Sequence, residues 1–161
     1  MTDGRLSHSL LKEVGFSLLA EGRTIKVRAD GFSMYPGIKP RSVIFIEPLK
    51  DFSDLRPGDI IAWKRDSGFV VHRLVRICSE ENKRQVVTRG DSSPYEDDPV
   101  SEDLIAGRVV KVEDPRGMPV SMERSLNKKP NYCLNRFLLR IILQISRIKR
   151  FFSSPSPSQG G

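Results

Sequence analysis

The stretch Thr24–Pro36, TIKVRADGFSMYP, is the one on which the reading of the fold turns. It opens as a strand-like run, TIKVRA, and leaves it at Asp30-Gly31. Gly31 lets the backbone turn or approach another group closely, and Pro36 stiffens the exit. Between them stands Ser33, followed by Met34, an unbranched apolar side chain able to fill a gap or line a greasy surface. Ordinary turns use the same residue types, so the serine gains meaning only from the residues downstream of it. His72 stands in VVHRLV, and an acidic cluster comes after it in TRGDSSPYEDD. In that order the chain offers a nucleophile, a base and a choice of carboxylates to orient the base.

Working outward, the texture from Thr24 to Val112 is β. Strands are predicted at Thr24–Ala29, Val43–Glu47, Asp59–Lys64, Phe69–Cys78, Gln85–Thr88 and Ile105–Val112, each bearing Val or Ile. Turn chemistry separates them, as in Arg56-Pro57-Gly58-Asp59 and Asp66-Ser67-Gly68. Short strands without long intervening helices imply a mainly β fold, a small twisted barrel or ribbon-like sheet. On the strand around His72, side-chain alternation sends Val70, His72 and Leu74 one way and Val71, Arg73, Val75 and Ile77 the other. That half-apolar face also suits an ordinary core histidine with a bonded ring. The acidic loop carries Asp91, Glu96, Asp97 and Asp98 and is consistent with solvation, loose cation binding or delivery of one carboxylate to an imidazole.

The sheet region, residues 23–113, is flanked by other textures. Within residues 1–22, Leu6 to Ala20 is spaced as a short amphipathic helix stopped by Gly22. Residues 114–130 hold Pro115, Gly117, Pro119 and Pro130 and read as a linker. Residues 131–152 read as a basic amphipathic helix. Arg136, Arg140, Arg147 and Arg150 share one side, and Leu134, Phe137, Leu138, Ile141, Ile142, Ile145, Ile148 and Phe152 cover the other, with Leu143 as the exception. Residues 153–161, SSPSPSQGG, have the composition of a disordered tail.

The 161 residues suffice for one domain with a core, and the net charge is +7. Of the 27 basic residues, eight lie from Arg124 onward, where no acidic residue occurs. The preceding stretch therefore holds 19 against 20, a net of −1. The basicity belongs to the C-terminal segment, which argues for a membrane surface met through the helix, and against nucleic acid as the partner of the body. Cys78 and Cys133 match no disulfide framework or metal spacing, so neither metal nor cofactor is expected. No N-terminal signal peptide and no apolar run long enough to span a bilayer is read, which leaves an interfacial location, or secondly a cytoplasmic one.

Taken together, GFSMYP, RPGDIIAWKRDSGFVVHRLVRI and VVTRGDSSPYEDDPVSEDLIAGRVV resemble the three sequence blocks of the signal-peptidase superfamily of serine proteases, which also contains the LexA-type self-cleaving repressors. The resemblance spans about Val27 to Val112. It implies Ser33 as nucleophile and His72 as general base, as in the archaeal and endoplasmic-reticulum signal peptidases, where most bacterial enzymes use lysine. It implies Asp97 as the orienting acid, a supporting role for Asp91, and Gly31 and Met34 at the substrate. Lys64 is the alternative base. The chain departs from the family at Arg41-Ser42, where Gly-Asp is usual, at the bulky Phe32, at GDSS, and in lacking the family's N-terminal membrane span. The expectation is a membrane-associated serine endopeptidase acting on a signal- or leader-type peptide or preprotein. Two alternatives stand beside it: a LexA-like or degenerate regulatory protein, and an adaptor that works through its basic helix.

Overall fold

The computed structural model describes residues 13–65, 68–80, 83–121, 126 and 129–152, with side chains of the last helix described as far as Ser146. Seven antiparallel strands form one sheet: β1 (Ile25–Arg28), β2 (Val43–Glu47), β3 (Ile60–Arg65), β4 (Gly68–Glu80), β5 (Lys83–Arg89), β6 (Val100–Ser101) and β7 (Ile105–Glu113). Their order across the sheet is β1-β2-β7-β3-β4-β5-β6. The sheet is open, with β1 and β6 as its edges, so it takes the ribbon form of the expected fold and does not close into a barrel.

β3 explains how so thin a sheet holds a core. Its sequence IIAWKR buries its first four residues, with no polar side to give to water. Ile60 and Ala62 join one apolar cluster, with Ile25, Ile44, Ile46, Val109 and Val112. Ile61 and Trp63 join the other, with Phe52, Leu55, Leu74, Val86 and Val100. Successive strand residues point to opposite faces, so both faces of the sheet are packed. Close strand approach adds a constraint at Gly107 on β7, where a Cβ would stand only 2.2 Å from the Glu47 carbonyl oxygen of β2. No side chain fits there.

Five of the predicted strands are lengthened or trimmed by a residue or more, and Val43–Glu47 is found as predicted. The sheet also gains β6, two residues pairing with Gln85 and Val86 and too short for any periodicity to reveal. Residues 13–20 are helical (α1), and the start of the expected Leu6–Ala20 helix lies outside the described residues, as does the 153–161 tail. α1 packs by Leu19 into the first cluster and by Phe16 against Phe69, ring centroids 4.1 Å apart.

The stretch read as a linker, 114–130, is tied to the body where it is described. Asp114 and Met118 close a turn at Gly117, Glu113 bridges Pro119, and the Val120 amide donates to Val112. Leu126 is wholly buried in the first cluster. Full burial of a leucine is worth about 1.5–3 kcal/mol, enough to hold a proline-rich segment down. α2 (Tyr132–Phe152) comes next, its start capped by Asn131, whose Oδ1 accepts from the Leu134 amide at 3.1 Å. Leu134, Phe137, Leu138, Ile141 and Ile145 on it are exposed.

Candidate active site

The site forms where the turn after β1 meets the end of β5. Ser33 lies in that turn, and its carbonyl accepts from the Ser92 amide at 2.9 Å and from Ser92 Oγ at 3.1 Å. Ser92 Oγ also donates to the Phe32 carbonyl at 2.7 Å. The two segments meet at Gly90. A Cβ there would stand 2.8 Å from Ser33 O and 3.0 Å from Ser33 Cβ, so only glycine lets the serine turn sit on the strand end. The Ser33 amide donates to no group among the described residues.

His72 comes to the same glycine from the other side. On β4, Arg73 pairs with Arg89 of β5, and continuing that register by one residue puts Gly90 across from His72. The imidazole is half-buried, and its Nδ1 lies 2.6 Å from Asp97 Oδ2. Thr88 Oγ1 donates to the same oxygen at 2.6 Å, and the Asp97 amide donates to the Thr88 carbonyl at 2.8 Å. Asp97 is therefore held by its backbone and its side chain at once. Partial burial works to raise its carboxyl. Hydrogen bonds from His72 and Thr88, with the positive fields of His72 and Arg65, outweigh burial and hold it below the ordinary 3.8. With Nδ1 occupied by Asp97, Nε2 is the ring nitrogen left for another partner.

Of the carboxylates that the residues alone left open, and among which the resemblance favoured Asp97, Asp97 meets His72, and Asp98 is exposed. Asp91 is turned into the body, where it takes a two-pronged bond from Arg73, Nε to Oδ1 at 2.8 Å and Nη2 to Oδ2 at 2.7 Å. Both side chains are 4% exposed. Arg73 Nη1 also donates to the carbonyls of Gly58 and Leu126, tying β4 to a turn and to the segment before α2. Lys64, the alternative base, is exposed, with Nζ 4.8 Å from the Phe16 ring centroid. It stands three residues along β3 from Ile61, the partner of His72, and takes no part in this cluster.

Gly31 and Met34, which bracket Phe32 and Ser33, line a cleft of about 850 Å³. Its walls are edge strand β1, Phe69 and Val71 of β4, and Val14, Gly15 and Leu18 of α1. Met34 is buried at its base as part of the first cluster.

The Peptidase S24-like family model matches residues 8–110, nearly two thirds of the chain. The chain belongs to the Peptidase S24-like family. That membership agrees with the open, mainly β fold and makes the chain a relative of LexA-type and signal-peptidase proteins. A comparison with curated proteins finds no match. At one departure from the wider superfamily's pattern, this S24-like chain keeps the backbone a glycine would supply: Arg41 takes φ 71°, in the left-handed region. A non-glycine residue pays about 1–2 kcal/mol for that conformation.

Sequence reasoning did not find Thr88, Ser92, Tyr132 or Asn135. Thr88 was open to detection, because alternation along β5 puts it on the Gly90 side two residues upstream. The other three had no such signal. Among the described residues, no group of His, Cys, Asp and Glu is placed to hold a metal, and no helix is long and apolar enough to cross a membrane.

Proposed function

We propose that this S24-like protein is a serine endopeptidase in which Ser33 is the nucleophile, His72 the general base and Asp97 the orienting carboxylate. The observation that carries the reading is the Thr88–Asp97–His72 chain of short hydrogen bonds ending beside the glycine on which Ser33 is seated. A serine hydroxyl is a weak nucleophile near neutral pH and needs a base to take its proton as it attacks the peptide carbonyl. His72 accepts that proton on Nε2 and returns it to the leaving amine. Asp97 fixes the tautomer with the proton on Nδ1 and stabilises the imidazolium. The unengaged Ser33 amide is the first donor for the oxyanion.

The substrate in this reading is an extended peptide laid along the free edge of β1, with apolar side chains in the cleft above Met34 and Gly31. A signal- or leader-type segment meets that description. α2, with its exposed apolar residues and Arg136 and Arg140 on another side, would lie in the interface of an anionic membrane and bring the cleft to such substrates.

The test is cleavage of a panel of signal-peptide-bearing substrates in vesicles by the full chain. Specific cleavage is expected, abolished in Ser33→Ala and His72→Ala and retained in Lys64→Ala. Cleavage surviving His72→Ala overturns the assignment of the base. A folded wild type that neither cleaves nor reacts with a fluorophosphonate moves the protein to the degenerate, regulatory class. Flotation with phosphatidylserine vesicles, weakened by salt and by Arg136→Glu with Arg140→Glu, tests the membrane part separately.

A further inference from the structure

We infer that Tyr132 and Asn135, in the first turn of α2, are positioning residues for Ser33, acting through the backbone of residues 91–94. The inference rests on the proposed catalytic role of Ser33. Asn135 is buried on a helix whose neighbouring Leu134 and Phe137 are exposed, so its burial calls for a polar partner. Its Nδ2 donates to the Asp91 carbonyl at 3.1 Å. One turn earlier the Tyr132 ring lies against the Arg89 guanidinium, 3.7 Å from centroid to charge centre. Arg89 in turn donates from Nε and Nη2 to Ser93 O, at 3.3 and 3.1 Å, and from Nη2 to Pro94 O at 3.2 Å. The helix start thus grips three carbonyl positions around Ser92, at 91, 93 and 94.

Ser92 is the residue that holds the nucleophile turn, through the bonds from its amide and hydroxyl to Ser33 and Phe32. The far end of the same loop is secured differently. Asp97 is fixed to Thr88 by two bonds of its own and, among the described residues, takes no hydrogen bond from the helix. The Asp91 side chain is likewise held by Arg73 without help from α2. Loosening the helix start therefore shifts the Ser33 half of the site and leaves the His72–Asp97 half where it is. A displacement of about 1 Å at a reacting group is enough to cost on the order of 100-fold in rate.

The experiment uses the full chain with Asn135→Ala, Tyr132→Leu and Tyr132→Phe. Three quantities are read: the rate of Ser33 labelling by a fluorophosphonate, the hydrogen-exchange protection of the Ser92 amide, and the NMR pH titration of the His72 ring. Asn135→Ala and Tyr132→Leu are expected to slow labelling on the order of 10- to 100-fold and to lower Ser92 protection, with the His72 midpoint unmoved. Tyr132→Phe keeps the ring on Arg89 and restores both. Unchanged Ser92 protection in the two disruptive variants overturns the inference, as does a His72 midpoint that moves with the labelling rate, because the whole site would then have loosened. A wild type that does not react while Ser92 protection still falls in the variants refutes the peptidase reading and keeps the latch. Should Asn135→Ala not fold, Tyr132→Leu, which keeps an apolar side chain of similar reach, decides the matter by the same readings.

Discussion

His72 and Arg73 are adjacent on β4, and each takes one carboxylate from the loop after β5, yet the two pairs live in different media. Arg73 and Asp91 face the packed side with Leu126, both 4% exposed, with each of the three guanidinium nitrogens engaged. His72 and Asp97 face the open end, at 12% and 24%, where one imidazole nitrogen takes no partner among the described residues. Strand alternation alone makes this division. A buried ion pair bonded at both carboxylate oxygens and at each guanidinium nitrogen resists change and serves as a rivet. A partly wet pair with a spare nitrogen is free to trade a proton.

The sharpest way to break that contrast is Asp97→Asn. It is expected to lower peptide cleavage by about 10³–10⁴-fold, since the amide cannot hold the required tautomer or stabilise the imidazolium. Melting should move little, because the group is partly exposed and its removal leaves no buried charge. Loss of the fold in Asp97→Asn would erase the distinction between the pairs. Arg73→Ala is the converse. Removing one partner strands the Asp91 carboxylate, at a cost of about 3–5 kcal/mol, or roughly 10 °C of melting temperature in a chain of this size. Calorimetry checks it, and a melting point near wild type would show the rivet to be dispensable.

Gly90→Ala strikes the point where the two halves meet. Its Cβ would press on Ser33 O and on Ser93 Oγ, and overpacking of this kind costs about 1–3 kcal/mol. Ser33 labelling should slow while the Asp97–His72 contact persists, which a titration of the ring would read. The smallest effect is on pH dependence. The Asp97 carboxyl is held below 3.8 when folded, so the stability it contributes is fully present above the unfolded value. It is lost as pH falls through the folded value. The melting difference between wild type and Asp97→Asn should thus shrink toward zero below about pH 4. A difference that grows as pH falls through this range would contradict the depressed carboxyl.

The body of the sheet was legible because Val and Ile runs between Pro, Gly and Asp turns leave few other choices. The residues of the proposed site were readable as a serine, a histidine and an acidic cluster in order, with Asp97 favoured by the resemblance alone and the residues themselves leaving Asp91 and Asp98 open. That choice depends on the alternation of β4 and on Thr88 pinning Asp97, neither of which the loop's own sequence encodes. The segment 114–130 looked like a linker because its prolines and glycine speak for themselves, while Leu126, a buried residue that docks it, has polar residues on either side in the sequence. Asn135 was equally silent. On a helical wheel it falls beside Leu139 and Ile142, at the border of the apolar side, and only its position beside the Asp91 carbonyl gives it a task.

The edge strand β1 has a consequence for how copies of this protein meet one another. It offers an unpaired row of backbone donors and acceptors, and such rows invite sheet-to-sheet stacking. Lys26 and Arg28 stand exposed along it. Two molecules approaching edge to edge would bring the Lys26 charges together, with each Arg28 partly offset by its own Asp30, so the approach carries an electrostatic cost. A guest segment with no positive charge meets no such barrier. The same two side chains therefore set a charge cost on pairing between copies that they do not set on an uncharged strand.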